Sequence, residues 1–208
     1  VGFSLVLPLM VWQRDGLKGI GSGWRIFYFS CLGLGFMFIE IGLLRQFILF
    51  LGSPIYSLAV VLCALLISSG FGSLASAWVK PVVLDRCLPA ILLGVGLLSI
   101  GYTFGLADLL DLWIVQPIQY RCLLAGLLLT PLGLLMGMPM PLGIRHFHAD
   151  NSTIPWSWGI NSATNVLGAI LAVVVAMNLG FMMTLFTGTA CYLLAMVPVF
   201  MKGRNSRS

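Results

Sequence analysis

Long apolar runs recur along this chain of 208 residues, and they restrict its fold more than any other feature of the sequence. Runs of about 18 or more apolar residues can cross a hydrocarbon core roughly 30 Å thick. Backbone polar groups find no water there and must bond within the protein, as they do in helices. The period-two alternation of a membrane β-barrel is absent from the runs. The sequence therefore predicts an all-α, polytopic transmembrane helix bundle.

Charged, proline and glycine residues divide the chain into six complete spans. We expect these spans at about Trp24–Leu51, Ile55–Val79, Leu88–Leu106, Ile118–Met138, Trp156–Leu179 and from just after Gly180 to Met201. Residues 1–23 are expected to be the end of a preceding helix and a cytoplasmic linker. Residues 24–201 form the six-span membrane domain, and residues 202–208 form a cytoplasmic tail. Because Val1 lies inside an apolar run, we expect the chain to belong to a longer polypeptide.

Prolines and glycines also predict the connections between spans. The sequence GSP at positions 52–54 predicts a tight turn, and Pro139 and Pro141 predict the end of span four. Residues 80–86 and residues 142–155 are predicted to be loops. Pro131, inside span four, is expected to kink its helix because proline removes one helical hydrogen bond.

The basic residues predict the orientation of the bundle. With the C-terminus in the cytoplasm, nine of the eleven fall on the cytoplasmic side: Arg14, Lys18, Arg25, Lys80, Arg86, Arg145, Lys202, Arg204 and Arg207. Only Arg45 and Arg121 approach the other face. This asymmetry follows the positive-inside rule and predicts a cytoplasmic C-terminus. The net charge of +5 is thus read as a topology signal, and no nucleic-acid partner is expected.

Small residues at a spacing of four predict close helix contacts, because they let backbones approach in lipid. Five of the spans carry such patterns: Ser68/Gly72/Ser76, Gly101/Gly105, Gly133/Gly137, Thr164/Gly168/Ala172/Ala176 and Gly180/Thr184/Gly188. The five cysteines show no metal-ligand or disulfide spacing, so we expect free thiols and neither a metal nor another cofactor.

Glu40, the only glutamate in the chain, lies within the first complete span. A lone charge in hydrocarbon costs roughly 2.5–3.5 kcal/mol or more, so Glu40 is expected either to be protonated or to have a partner. Arg45 is a poor candidate, because a spacing of five places the two side chains about 140° apart around a helix. Arg45 and Arg121 are instead expected to be interface anchors.

Span five offers the partner for Glu40. Asn161 and Asn165 share one helix face, accompanied by Ser162 and Thr164, and these four residues with Glu40 form the predicted intramembrane polar site. Two roles stay open for Glu40: proton or ion coupling, and a structural hydrogen-bonded contact between helices. The two histidines, His146 and His148, are expected in a solvated loop. No catalytic residues or phosphate-binding motif can be assigned.

Three segments together resemble a known family: LGFMFIEIGLLRQFILFLGSPIYSLAVVL, GMPMPLG and PWSWGINSATNVLGA. They are similar to the membrane-spanning region of bacterial spermidine-synthase-like multi-pass membrane proteins. The resemblance covers about Phe27 to Leu194 and implies a bacterial cytoplasmic membrane. The family's recurrent positions fall on Glu40, Arg45, Gln46, Pro54, Tyr56, Pro139, Pro141, Trp158, Asn161 and Asn165.

The resemblance implies a non-catalytic membrane module. Such a module would anchor a synthase-like cytosolic domain, or pack as an accessory subunit of a larger membrane complex, with the lipid bilayer and a protein as its partners. The glycine-rich turn and catalytic aspartates of the synthase-type domain are not found in this chain. A weaker likeness, to half of a major-facilitator transporter, rests on six spans and the Asp85–Arg86 pair. It implies the alternative, a transporter-like half bundle with a polar site at Glu40, Asn161 and Asn165.

Overall fold

The structure, a computed structural model, describes residues 23–147 and 153–205. Their secondary structure is entirely helical. The helices are α1 (Gly23–Leu51), α2 (Pro54–Ala75), a 3₁₀ turn (Ser76–Trp78), α3 (Pro81–Asp111), α4 (Ile118–Gly137), α5 (Pro139–His146), α6 (Ile154–Leu179), α7 (Phe181–Leu194) and α8 (Met196–Asn205). Six stretches, with α4 joined to α5 and α7 to α8, are long and apolar enough to cross a membrane. The predicted multi-pass helical bundle is confirmed to this extent.

The two tightest connections depend on glycine. Gly52 has φ of +73° between α1 and α2, and Gly180 has φ of +88° between α6 and α7. Residues with a Cβ rarely adopt this left-handed conformation. Pro54 then occupies the first turn of α2, where no backbone N–H is needed. The predicted turn at positions 52–54 is confirmed.

Two predicted loops were wrong in part. Residues 80–86 belong mostly to α3, which begins at Pro81, and residues 142–146 belong to α5, which begins at Pro139. Inside a helix a proline removes one hydrogen bond, as Pro89 does in α3 and Pro131 in α4, whereas its fixed φ suits the first helical turn. Pro81 and Pro139 therefore mark helix starts. The sixth span is also divided, since α7 ends at Leu194 and α8 begins at Met196.

Helix α1 lies at the centre of the bundle, where it packs against α6, α7 and α2. Small residues permit this: a Cβ built on Gly33 would lie 2.2 Å from Oγ1 of Thr164 on α6. Helix α2 packs tightly on α4 in the same way. A Cβ on Gly72 would lie 2.0 Å from the carbonyl oxygen of Leu134, and a Cβ on Gly137 equally close to that of Ser69. Helices α2 and α6 both pack on α1 and not closely on each other.

The prediction of close packing fails at one pair of glycines. A Cβ on Gly101 or on Gly105 would find no atom within 4 Å. Both residues instead line an apolar groove of about 600 Å³ between α3 and α4, together with Tyr102 and Leu128. The Tyr102 hydroxyl donates a hydrogen bond to the Leu128 carbonyl across this groove.

Polar contacts define one end of the bundle, which we call the α5 end. Arg25 of α1 donates to the Phe147 carbonyl (2.5 Å) just after α5. Arg145 of α5 donates to the carbonyl oxygens of Ser76 (2.9 Å) and Val79 (2.6 Å), at the end of α2. Cation–π contacts lie at the opposite end. There Arg45 lies 5.3 Å from the Phe181 ring and Arg121 lies 5.1 Å from the Phe50 ring.

Candidate functional site

Three of the predicted polar residues line one cavity, which we call the Glu40 cleft. Glu40 of α1 and Asn161 and Asn165 of α6 face the same space of about 540 Å³. Helix α2 contributes Ser69 and Ser73 to the opposite wall. A cavity of this size falls within the usual range of small-molecule sites, about 300–1,000 Å³. The helical register deduced from spacing thus brings Glu40 and the asparagine face together.

The cleft runs along the bundle from the α5 end towards its middle. Trp158 follows the first residue of α6 by only four positions, and Ser73 precedes the last residue of α2 by two. Glu40 follows the first residue of α1 by 17 positions, about 25 Å at 1.5 Å per residue. All of these residues line the cleft. Glu40 is therefore at its deep end.

The cleft is open on the side between α2 and α6. Leu66 of α2 is 59% exposed and Trp158 of α6 is 53% exposed, and both line it. Because α2 and α6 do not pack closely on each other, the gap between them leads to the outer surface of the bundle. In a membrane that surface is covered by lipid chains, so the cleft has a lateral opening towards the bilayer.

The polar side chains in the cleft are not bonded to each other. In the ranges 23–147 and 153–205, no hydrogen bond or ion pair joins the side chains of Glu40, Asn161 or Asn165 to another protein group. The side-chain oxygen of Asn165 is buried without a partner. Buried polar groups are nearly always bonded, to protein or to ordered water, so this oxygen needs a partner that the described protein groups do not supply. Side-chain oxygens of Gln46, Ser99 and Thr189 are also buried without a partner, and what distinguishes Asn165 is that it faces a cavity shared with Glu40. Glu40 and the asparagines expected to be its partners thus line one cavity but form no bond with each other.

Aromatic and sulfur-containing side chains complete the walls. Tyr192 of α7 is 1% exposed, and its ring packs so closely on α1 that a Cβ on Gly35 would lie 2.8 Å from it. Met37 of α1 and Met140 of α5 also line the cleft. The polar groups of the cleft therefore share it with apolar and polarisable side chains.

The remaining predicted site residues lie elsewhere. Thr164 packs on Gly33 and donates hydrogen bonds to the carbonyl oxygens of Ile160 (2.9 Å) and Asn161 (3.0 Å) within α6. Ser162 does not line the cleft. Arg45 and Arg121 are at the opposite end of the bundle, each near a helix terminus, and their role as interface anchors stays a prediction.

The assignment of His146 to a solvated loop was wrong. His146 is the last residue of α5, its side chain is 3% exposed, and its Nδ1 lies 3.0 Å from Oδ1 of Asp85 on α3. Pro139 follows the end of α4 and also begins α5, and this second role places His146 in a helix. His148 lies outside the described residues. Within the described ranges, no three His, Cys, Asp or Glu side chains are grouped closely enough to hold a metal ion.

Ser69, Ser73 and Tyr192 were missed as cleft residues. The two serines are spaced by four on α2, a pattern that does not distinguish a helix contact from a cavity wall. No spacing of polar residues near Tyr192 in the sequence indicates that it lines a cavity. No protein-family model, curated protein or solved structure matches this chain.

Proposed function

We propose that this chain is a multi-pass membrane module that binds a small ligand in the Glu40 cleft. One observation carries the proposal: Glu40, Asn161 and Asn165 line a single cavity without hydrogen bonds to each other or to other described protein groups. Polar side chains in an apolar bundle cost free energy unless they are bonded. A ligand that bonds to them explains their placement better than helix packing, which needs direct contacts between them.

A ligand-binding module of this kind matches the transporter-like half bundle that the major-facilitator likeness implies. The cleft reaches about 25 Å from the α5 end before it meets Glu40, so a ligand bound there would lie well inside the membrane. Binding at such a depth between helices is a common arrangement in transporters. Passage across the membrane would require a second opening, towards the Arg45 end.

Blocking the cleft tests the proposal. Gly70 lines the cleft, and no atom lies within 4 Å of a Cβ built on it, so Gly70→Leu fills the cavity without an initial clash. Gly101→Leu is the matched control, since Gly101 is equally open but lies in the other groove. Native mass spectrometry of protein purified from its membrane should detect a bound small molecule in the wild type and in Gly101→Leu. Gly70→Leu should lose it, and equal retention by both variants would contradict the proposal.

A second proposal is that the chain packs as a non-catalytic subunit or anchors a cytosolic domain, as the spermidine-synthase-like resemblance implies. The groove of Gly101 and Gly105 favours it, because glycine faces of membrane helices commonly receive a partner helix. Gly101→Leu should then abolish co-purification of a protein partner, while Gly70→Leu should preserve it. Isolation of the wild type as a lone chain that is active in transport would contradict this role.

We also propose a bacterial cytoplasmic membrane as its location, with the C-terminus in the cytoplasm. The support is the uneven distribution of basic residues: Arg25 and Arg145 bond at the α5 end, and Lys80 and Arg86 flank the start of α3 there. Among the basic residues of ranges 23–147 and 153–201, Arg45 and Arg121 are the ones near the opposite end. A reporter enzyme fused after Ser208 should be active only if that enzyme works in the cytoplasm. Activity of a reporter that works only in the periplasm would contradict this orientation.

A further inference from the structure

We infer that the Glu40 cleft takes an amphiphile with a single protonated amine, which enters from the bilayer and places its ammonium group against Glu40. This inference rests on the proposed ligand-binding function and names the ligand class. It combines three observations: one carboxyl group, an unpartnered acceptor and aromatic rings that line the same cavity, and a lateral opening between apolar walls.

The single ionisable side chain that lines the cleft indicates what charge the ligand should carry. In the described ranges, Glu40 is the only acidic or basic side chain among the lining residues. An ionised carboxylate in a membrane interior requires one opposite charge close by. A second positive charge on the ligand would find no counter-ion in the cleft, and an anion would be repelled. The cleft therefore matches one positive charge.

The hydrogen-bonding groups favour an ammonium over a neutral head group. An ammonium has three N–H donors and no acceptor. The Glu40 carboxylate and the buried, unpartnered side-chain oxygen of Asn165 are both acceptors. Trp158 and Tyr192 line the same cavity, and their ring faces attract cations. An ammonium at Glu40 supplies donors to acceptors in the cleft, whereas a carboxylate supplies none. The Trp158 ring is near the α5 end, so it lies along the cleft and not beside Glu40.

The shape of the cleft favours a ligand that also has an apolar chain. Its walls include Leu62, Leu66, Phe36 and Met37, and it opens between α2 and α6 where lipid chains cover the bundle. A chain that follows this opening stays in contact with hydrocarbon while its head group reaches the deep end. The same ammonium chemistry has two sources: a free amphiphilic amine, and the ammonium of a zwitterionic bilayer lipid such as phosphatidylethanolamine. The phosphate of that lipid would have to stay at the lateral opening, away from Glu40.

A set of probes with one chain and different head groups tests the charge selection. Dodecylamine, dodecanol and dodecanoate are titrated into the purified protein in a non-ionic detergent at pH 7, with the thermal unfolding midpoint as the readout. Dodecylamine should bind at least tenfold more tightly than the other two. 1,12-Diaminododecane, which carries a second charge, should bind more weakly than dodecylamine. This comparison needs only the wild-type chain, so it does not depend on the folding of a variant.

Glu40→Gln then tests the residue itself. The substitution keeps a hydrogen-bonding side chain but removes the charge, and it should weaken dodecylamine binding at least tenfold with little effect on dodecanol. Asp108→Asn is the control, because Asp108 is exposed and does not line the cleft. Equal affinity for dodecylamine and dodecanol, or unchanged binding by Glu40→Gln, would overturn the amine inference and leave a ligand site of another class.

The Gly70→Leu variant distinguishes failure of the amine inference from failure of the ligand-binding function itself. If Gly70→Leu responds to every probe as the wild type does, the cleft binds none of them, and both proposals fail together. Lipid nanodiscs distinguish the two sources of the amine. A lipid head group as the natural ligand predicts that phosphatidylethanolamine weakens dodecylamine binding relative to phosphatidylglycerol. A free amine as the natural ligand predicts equal binding in both lipids, once the partitioning of the probe is measured with Gly70→Leu.

Discussion

The polar groups at the α5 end and those in the Glu40 cleft belong to the same apolar bundle but differ in their bonding. At the α5 end, Arg145 bonds to two carbonyl oxygens, Arg25 bonds to a third, and the Tyr28 hydroxyl donates to the carbonyl of Pro139 at 2.8 Å. In the cleft, the side chains of Glu40 and Asn165 have no such bonds within the described ranges. The difference separates polar groups that hold helices together from those that are available to a ligand.

The α5 end shows what a structural polar network looks like in this protein. Arg145 donates to the carbonyl oxygen of Ser76, which also accepts the N–H of Val79, and to the carbonyl oxygen of Val79 where the 3₁₀ turn ends. Asp85 and His146 join α3 to α5 beside it. Each contact links two helices. By this standard the cleft residues lack the bonds that a structural role would require.

The largest expected loss of stability follows from a substitution in the contact between α2 and α4. In Gly72→Leu the new side chain would overlap the carbonyl of Leu134, a backbone atom that cannot rotate away. The two helices must separate, and we expect the free energy of unfolding to fall by about 3 kcal/mol or more. Denaturation by SDS in mixed micelles measures this change. Gly101→Leu, with open space around it, should be close to the wild type, and an equal loss in both would contradict the packing described here.

Arg145→Met should give the next largest loss. It removes both hydrogen bonds to the end of α2 but keeps most of the apolar side chain. Because hydrogen bonds from a charged group contribute about 1.5–3 kcal/mol and those between membrane helices often less, we expect a loss of about 2 kcal/mol. Arg86→Met serves as the control, since Arg86 is exposed near the same end. If the control loses as much stability, the network at the α5 end does not hold the helices.

Asp85→Asn should have a smaller effect in the same SDS assay. The side chain of Asp85 is 71% exposed, so solvent screens its attraction to His146. An amide oxygen can still accept a hydrogen bond, and we expect a loss below about 1 kcal/mol. Asp108→Asn provides the baseline for an exposed acid without this contact. A loss equal to that of Arg145→Met would show that the His146 contact is a main element of the network.

Much of the fold was predictable because apolar length and turn residues act locally. The spans ending at Leu51 and beginning at Ile118 match the helices within a residue or two. The start of α3 and the whole of α5 were missed because Lys80, Asp85 and Arg145 gave their segments the polarity of loops. Their helical conformation depends on Pro81 and Pro139 at the first helical turn and on contacts with distant helices.

The site was predictable only where it depends on helix register. Spacing placed Asn161 and Asn165 on one face of α6 and indicated that Glu40 needs a neighbour from another helix. Which helices would flank the cleft depends on the tertiary packing of α2 and α6 around α1, and so the roles of Ser69 and Tyr192 could not be read from local sequence. The contact partner of His146 likewise could not be read from nearby sequence, because Asp85 lies 61 residues earlier.

The stability of Glu40→Gln, measured beside Arg145→Met in the same SDS titration, tests the central claim most directly. If Glu40 serves a ligand and not the fold, the ligand-free variant should unfold within about 0.5 kcal/mol of the wild type, because no helix contact is removed. Its loss should be clearly smaller than that of Arg145→Met. A loss of about 2 kcal/mol or more in Glu40→Gln would contradict the claim and assign Glu40 to the structural contacts of the bundle.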